Sequence, residues 1–169
     1  MSETLSNTLL GKAAVMEGLA DHPAVKALNE AIPEQFTDAK FDRGELTLTV
    51  KPEAIVAAAK AVKAASYVAF QDMTAVDWFP SSPRFQLSYH ILSHAQKEII
   101  RLRTMVEDTD ASIESMTSVW EGANYYEREV FDLFGIRFEN HPNLRRIMMP
   151  EDWNGHPLRK DYPVEGYRS

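Results

Sequence analysis

Residues 85–106 read FQLSYHILSHAQKEIIRLRTMV and carry the clearest pattern of the chain. Every second position of 85–91 is apolar or aromatic, and a second alternating run follows at 100–106. A period of two is typical of a strand with one buried face. The polar segment 94–96 between the runs is typical of a turn, so the sequence predicts a long β-hairpin.

The residues before this hairpin predict two helices and a shorter hairpin. Asp21 as cap and Pro23 at an early helical position indicate a short helix over 22–32. Alternation in 36–41 and 46–50, with a turn at 42–44, predicts two strands. The high alanine content of residues 52–65 predicts a helix that begins at Pro52.

Beyond the long hairpin, the pattern predicts one more helix. Residues 123–134 place Tyr126, Val130 and Phe134 on one face, and Gly135 is suited to end the helix. Segments 67–79 and 107–114 have no regular period. Helices and hairpins together predict the α+β class: a mostly antiparallel sheet with helices packed on one face.

The chain of 169 residues divides into three parts. We expect an N-terminal arm at 1–20, an α+β domain at 21–138 and an extended tail at 139–169. The tail contains four of the nine prolines and has no useful period, yet it is too apolar for a solvated segment. It is therefore expected either to dock on a partner subunit or to fold back on its own domain.

Composition excludes several classes of function. A formal charge of −7 disfavours a protein that binds nucleic acid over its whole surface. The absence of cysteine excludes disulfides, thiol nucleophiles and cysteine-ligated zinc or iron–sulfur clusters. No apolar run approaches the ~20 residues that a membrane-spanning helix needs. Neither of the common glycine-rich nucleotide-binding motifs occurs.

Three carboxylates of the last predicted helix are candidates for acid–base chemistry. Glu127, Glu129 and Asp132 lie close together in sequence, and Glu127 and Glu129 with His141 would suit a free-standing hydrolase or acid–base enzyme. The alternative is an exposed ion pair between Arg128 and Asp132, four residues apart. His90 and His94 have the spacing of a helical metal site, but the period of two favours solvated turn histidines.

Several ordered motifs resemble a known family. Residues 127–136 (EREVFDLFGI), 150–153 (PEDW) and 155–163 (GHPLRKDYP) resemble the signature of the C subunits of respiratory complex I, the NADH:quinone oxidoreductases. Residues 43–47 (RGELT) and 72–77 (DMTAVD) agree with it as well. The resemblance covers roughly residues 32–163.

This resemblance implies a non-catalytic scaffold subunit in the peripheral arm of a complex that transfers electrons from NADH to quinone, coupled to proton translocation. It implies binding to the D subunit, with the B and I subunits nearby, on the cytoplasmic side of the cell membrane and without nucleic acid. FMN and iron–sulfur clusters would lie in partner subunits, and membrane association would occur only through the complex.

By the same resemblance, one set of residues would bind the tail or a partner. These are Glu127, Arg128, Glu129, Asp132, His141, Arg145, Arg146, Trp153, His156, Pro157, Leu158, Arg159, Lys160, Asp161 and Tyr162. The alternative within this resemblance is the equivalent subunit of a membrane-bound hydrogenase or of a ferredoxin- or F420-linked complex.

Overall fold

The computed structural model describes residues 18–166 and contains one five-stranded sheet, a two-stranded sheet and three helices. The strands are β1 (Phe36–Asp42), β2 (Glu45–Val50), β3 (Ala69–Asp77), β4 (Phe85–Ser93), β5 (Glu98–Val106), β6 (Ser112–Glu114) and β7 (Arg137–Glu139). The helices are α1 (Pro23–Ala31), α2 (Ile55–Ala64) and α3 (Ala123–Phe134), with 3₁₀ turns at Pro52–Ala54 and Met116–Ser118. Most of the predicted arm at 1–20 lies outside the described residues.

The predicted long hairpin lies in the middle of the main sheet. Strands β4 and β5 pair in antiparallel register from Phe85 opposite Val106 to Ser93 opposite Glu98. The sheet order is β1-β2-β5-β4-β3, and only the β2–β5 pairing is parallel. The prediction of a mostly antiparallel sheet in an α+β fold is therefore confirmed, with one parallel pairing that the sequence did not indicate.

The two faces of the sheet differ as the alternation predicts. Phe85, Leu87, Tyr89 and Ile91 are fully buried and join the buried side chains of all three helices in one hydrophobic core. On the opposite face of β5, Arg101 and Arg103 are partly exposed, as are the apolar side chains of Ile99 and Met105. The helices pack on the face that carries the large continuous apolar area, whereas the other face is a mixture of polar and scattered apolar side chains.

Three local predictions need correction. The cap of α1 is His22, whose Nδ1 accepts the N–H of Ala24, and not Asp21. The segment 67–79 contains β3, which pairs with β4. A register shift between Phe70 and Asp72 interrupts its alternation, as a β-bulge does. His90 lies within β4 and contacts Asp72 and Arg101, so it is not a turn histidine.

The turns support the remaining predictions. Arg43 and Gly44 both have positive φ, 53° and 85°, as a two-residue hairpin turn requires. Gly135 follows α3 with φ of 76° and ends the helix as predicted. No helix within 18–166 has the length and apolar character needed to span a membrane.

The first prediction concerns the central hairpin. We expect Leu102→Ala to lower the free energy of unfolding by about 2–5 kcal/mol, because Leu102 is fully buried under the helices. Ile99→Ala is the matched control, since Ile99 lies on the same strand and is half-exposed. Urea unfolding of the purified full chain measures both, and equal losses would contradict the assignment of the two faces.

Candidate functional site

The tail has no helix or strand after β7, yet hydrogen bonds hold its backbone against the domain. Two clusters of charged groups hold it. One surrounds Asp132 near the end of α3, and the other surrounds Arg84 at the start of β4. Because irregular backbone must find hydrogen-bond partners outside itself, these clusters determine where the tail lies.

Asp132 is completely buried and is the centre of the first cluster. Its Oδ2 accepts the backbone N–H groups of Ile147, Met148 and Met149 at 2.9, 2.7 and 2.9 Å. Its Oδ1 accepts Nη1 of Arg146 at 2.6 Å. One carboxylate thereby fixes four consecutive residues of the tail.

These contacts also determine the charge state of Asp132. Burial alone would raise its pKa, but the three backbone donors and Arg146 together hold the pKa below its ordinary value. The carboxylate is therefore ionised near neutral pH. A buried charge is tolerated there because each of its oxygens accepts at least one hydrogen bond.

Two arginines extend this cluster along the tail. Arg146 Nη2 donates to the carbonyls of Trp153 and Gly155, both at 3.1 Å. Arg128 Nε and Nη2 donate to the carbonyls of Arg145 and Arg146 at 3.1 and 3.2 Å. The predicted pair between Arg128 and Asp132 is therefore wrong: Asp132 pairs with Arg146, and Arg128 binds tail carbonyls.

His156 lies against the end of α3. Its Nδ1 is 2.9 Å from the carbonyl oxygen of Asp132, and its ring is edge-on to Phe131. A Cβ at Gly135 would come within 2.6 Å of His156 Cδ2. Gly135 is thus required twice, by its positive φ and by the close approach of this imidazole.

The second cluster centres on Arg84, which the sequence analysis did not identify. Arg84 is 3% exposed and forms two hydrogen bonds with Asp77, at 2.9 and 2.8 Å, and two with Asp161, at 3.0 and 2.6 Å. Its Nη1 also donates to Asp108 at 2.9 Å. Asp161 lies in the tail, 77 positions from Arg84, so no local spacing indicates the contact.

Glu127 forms a third buried centre, on the core side of α3. Its Oε1 accepts Met116 N–H and its Oε2 accepts the Ser115 hydroxyl, both at 2.6 Å. Burial raises the pKa of Glu127 to about 7, although these two donors oppose the shift. Nε2 of His141 lies 3.9 Å from Oε2, and burial lowers the pKa of that imidazole.

The structure does not assemble the acid–base site considered above. Glu127 and His141 are adjacent and buried, but Glu129 is exposed elsewhere on α3. Four surface cavities within 18–166 are lined by other residues. In the same range no group of three or more His, Asp or Glu side chains is placed to hold a metal ion. Glu127 instead ties α3 to the turn at Met116–Ser118.

Several apolar tail residues remain exposed although the backbone is fixed. These are Ile147, Met148, Trp153, Leu158 and Val164. Leu158 is 52% exposed while its N–H donates to the carbonyl of Leu133 at 3.0 Å. The tail thus folds back on its own domain and presents an apolar surface at the same time. Exposed apolar clusters of this kind are typical of protein–protein contacts.

The other tail residues from the sequence analysis have different surroundings. Lys160 donates its backbone N–H to Asp77, and Arg159 contacts Asp108. The hydroxyl of Tyr162 donates to the carbonyl of Asn154 at 3.4 Å, and Pro157 is partly buried. Arg145 and Glu129 are exposed. Partner binding by any of these residues stays a prediction.

Comparisons with known proteins agree with the motifs. A family profile described as "Respiratory-chain NADH dehydrogenase, 30 Kd subunit" matches residues 48–168. The C subunit of the NADH-quinone oxidoreductase of Citrifermentans bemidjiense is 45% identical over 144 residues, which cover 85% of this chain and 89% of that protein. The protein of the same name from Roseiflexus castenholzii is 44% identical over 148 residues, which cover 85% of both chains.

Two solved structures share the fold. A trypsin-resistant fragment (1-134) of Nqo5 matches with a TM-score of 0.63 and 27% identity, covering 72% of this chain and 99% of the fragment. A chain of the membrane-bound sulfane sulfur reductase, an archaeal respiratory membrane complex, matches with a TM-score of 0.66 and 82% coverage of both chains. At 23% identity the second likeness shows the fold alone.

The Asp132 cluster generates the second prediction. We expect Asp132→Asn to lower the free energy of unfolding by about 3 kcal/mol, because it removes a buried charge and leaves Arg146 without its ionic partner. Glu129→Gln, on the exposed side of the same helix, is the control and should change stability by less than about 0.5 kcal/mol. Urea unfolding near pH 7 measures both, and a neutral result for Asp132→Asn would refute the role of this carboxylate.

The third prediction concerns Glu127 and pH. Folded Glu127 keeps its proton up to about pH 7, whereas the unfolded residue releases it near 4.5. The folded state therefore binds more protons between these values, and its stability falls as the pH rises. We expect the free energy of unfolding of the wild type, relative to Glu127→Gln, to fall by about 2 kcal/mol from pH 5 to pH 8.

Glu129→Gln again serves as the control for this pH series, since its carboxylate is exposed. Chemical unfolding at several pH values provides the measurement. A difference between wild type and Glu127→Gln that does not change with pH would show that Glu127 is ionised throughout.

Proposed function

Since the chain belongs to the family of 30 kDa subunits of respiratory-chain NADH dehydrogenases, we propose that it is a structural subunit, the C subunit, of NADH-quinone oxidoreductase. The enzyme transfers electrons from NADH to quinone. In this proposal the chain supplies none of the reacting groups. It positions neighbouring subunits by means of a rigid surface.

The observation that carries this proposal is the combination of a fixed tail backbone with exposed apolar side chains. Asp132 and Arg146 hold residues 146–149 against α3, and the neighbouring Ile147 and Met148 side chains point away from the core. A surface that is already ordered loses little conformational entropy when a partner covers it. Such a surface suits a permanent interface within a large complex.

We propose that the main partner of this surface is the D subunit, with the B and I subunits nearby. FMN and the iron–sulfur clusters then reside in partner subunits, in agreement with the absence of cysteine from this chain. The chain is held at the membrane through the complex alone, on its cytoplasmic side. The bacterial relatives, which are named as C subunits of NADH-quinone oxidoreductase, favour this enzyme over a related hydrogenase or ferredoxin-linked complex.

The role of such a subunit is geometric. Electron transfer between cofactors requires that the subunits that hold them keep fixed separations, and displacements near 1 Å already impair chemistry at a distance. The sheet and helices of this chain provide the rigid element, and the tail provides the contact.

The fourth prediction tests the tail as the contact. We expect Leu158→Asp to abolish recovery of the D subunit with the tagged full chain from native membranes in mild detergent, because it places a charge in an apolar interface. Phe41→Asp is the matched control, since Phe41 is 56% exposed but lies on edge strand β1, away from the tail. Mass spectrometry and NADH:quinone reductase activity of the eluate provide the measurements.

Three results would contradict the proposal. Recovery of D that is the same with Leu158→Asp as with Phe41→Asp would exclude the tail surface. Recovery of hydrogenase subunits in place of D would assign the chain to a different complex. Recovery of the chain without partners would exclude the scaffold role.

A further inference from the structure

We propose that Arg84 is a positioning residue that fixes the tail in its binding conformation before any partner arrives. The inference rests on the proposed function, because it concerns the same tail surface. It assigns Arg159, Lys160 and Asp161 to a contact within the chain and leaves their exposed apolar neighbours, Leu158 and Val164, to meet the partner.

The donors of Arg84 are fully used inside this chain. Its Nε and Nη2 bind the two oxygens of Asp77, and its Nη1 and Nη2 bind the two oxygens of Asp161. The remaining contact is from Nη1 to Asp108. Five hydrogen bonds satisfy the five N–H groups of a guanidinium, and none is left for a partner subunit.

The tail residues next to Asp161 bind the carboxylates that surround Arg84. Lys160 donates its backbone N–H to Asp77 Oδ2 at 2.8 Å, and Phe79 N–H donates to the other oxygen at 2.8 Å. Arg159 contacts Asp108 and lies 4.9 Å from the centre of the Phe85 ring. Three consecutive tail residues therefore bind groups of the domain, and the side chains of Arg159 and Asp161 have their ionic partners within the chain.

Only arginine fits this position. A planar guanidinium can bind two carboxylates in pairs of hydrogen bonds at once, whereas a lysine ammonium offers three donors from a single atom. The guanidinium also lies 4.9 Å from the centre of the Phe79 ring and 5.0 Å from that of Phe85. These rings fix its plane from the domain side, so the guanidinium already points to where Asp161 binds.

The Arg84 cluster joins buried residues of the domain to an exposed residue of the tail. Asp77 and Arg84 are buried parts of the domain, while Asp161 is 44% exposed and belongs to the tail. We therefore expect loss of the Asp161 contact to loosen residues 159–162, which then keep only the contacts of Arg159 and Lys160, and to leave the core and the Asp77–Arg84 pair in place. Buried ion pairs are a poor source of stability, and the inference is that this one instead selects one arrangement of the tail among several.

The fifth prediction tests the release of the tail. We expect Asp161→Asn, in the purified full chain, to raise amide hydrogen exchange at Lys160 and Tyr162 by about tenfold or more, because their protection then depends on a weakened contact. The thermal midpoint of the domain should stay unchanged. Asp161→Glu, which keeps the carboxylate, should recover part of the protection. Arg84→Lys should raise the exchange as well, with Arg103→Lys on the polar sheet face as the matched control.

The same variants are then compared in binding. We expect Asp161→Asn to weaken binding to the remaining peripheral-arm subunits about tenfold, with a partial recovery in Asp161→Glu. Unchanged exchange at Lys160 in Asp161→Asn would overturn the inference, as would released amides without any loss of affinity. Because Arg84→Lys leaves Asp77 buried without its full partner and can unfold the domain, Asp161→Asn decides the question.

Failure of this inference is distinguishable from failure of the proposed function. If Leu158→Asp prevents binding and Asp161→Asn does not, the tail is the contact but Arg84 does not position it. If neither variant changes binding, the tail is not the contact, and the inference fails together with the proposed contact even where hydrogen exchange shows that Arg84 holds the tail.

Discussion

The structure depends most on the burial of one carboxylate, that of Asp132. A carboxylate that is removed from water costs several kcal/mol unless hydrogen bonds replace the lost solvent. The replacement comes from three successive backbone N–H groups of the tail and from Arg146. Helix α3 therefore needs the tail to satisfy its buried charge, and the tail needs α3 to satisfy its backbone. Neither arrangement is favourable without the other.

The same solution occurs again at Asp77, whose buried carboxylate accepts the backbone N–H of Lys160 in the tail. Arg84 binds this carboxylate and that of Asp161 in the tail. In both clusters a buried carboxylate of the domain accepts backbone N–H groups from a segment that has no strand or helix of its own. In both clusters an arginine also binds the buried carboxylate: Arg146 binds Asp132, and Arg84 binds Asp77. In the sheet, neighbouring strands satisfy the backbone N–H groups, whereas in the tail the buried carboxylates do so. This explains how a long segment without helix or strand has one fixed conformation.

The sequence was sufficient for those parts of the fold that depend on neighbouring residues. Alternation at 85–91 and 100–106 predicted β4 and β5, and Gly135 predicted the end of α3. Strand β3 was missed because a bulge between Phe70 and Asp72 breaks its period. Arg84 was missed, and Asp132 was paired with the wrong arginine, because their partners are distant in sequence and local spacing favours the nearer residue. These two contacts could not be predicted because the tertiary fold, and not the local pattern, selects their partners.

The resemblance of the motif residues has a physical explanation in these contacts. Residues of the 127–136 motif are divided between two tasks: Glu127 ties α3 to the turn at Met116–Ser118, while Arg128 and Asp132 bind the tail. In the 155–163 motif, His156 lies against Gly135 and Asp161 against Arg84. Most of these polar groups therefore act within the chain. In the proposed function, the apolar side chains between them bind the neighbouring subunit, and because the polar groups fix their positions, this surface is already formed before binding.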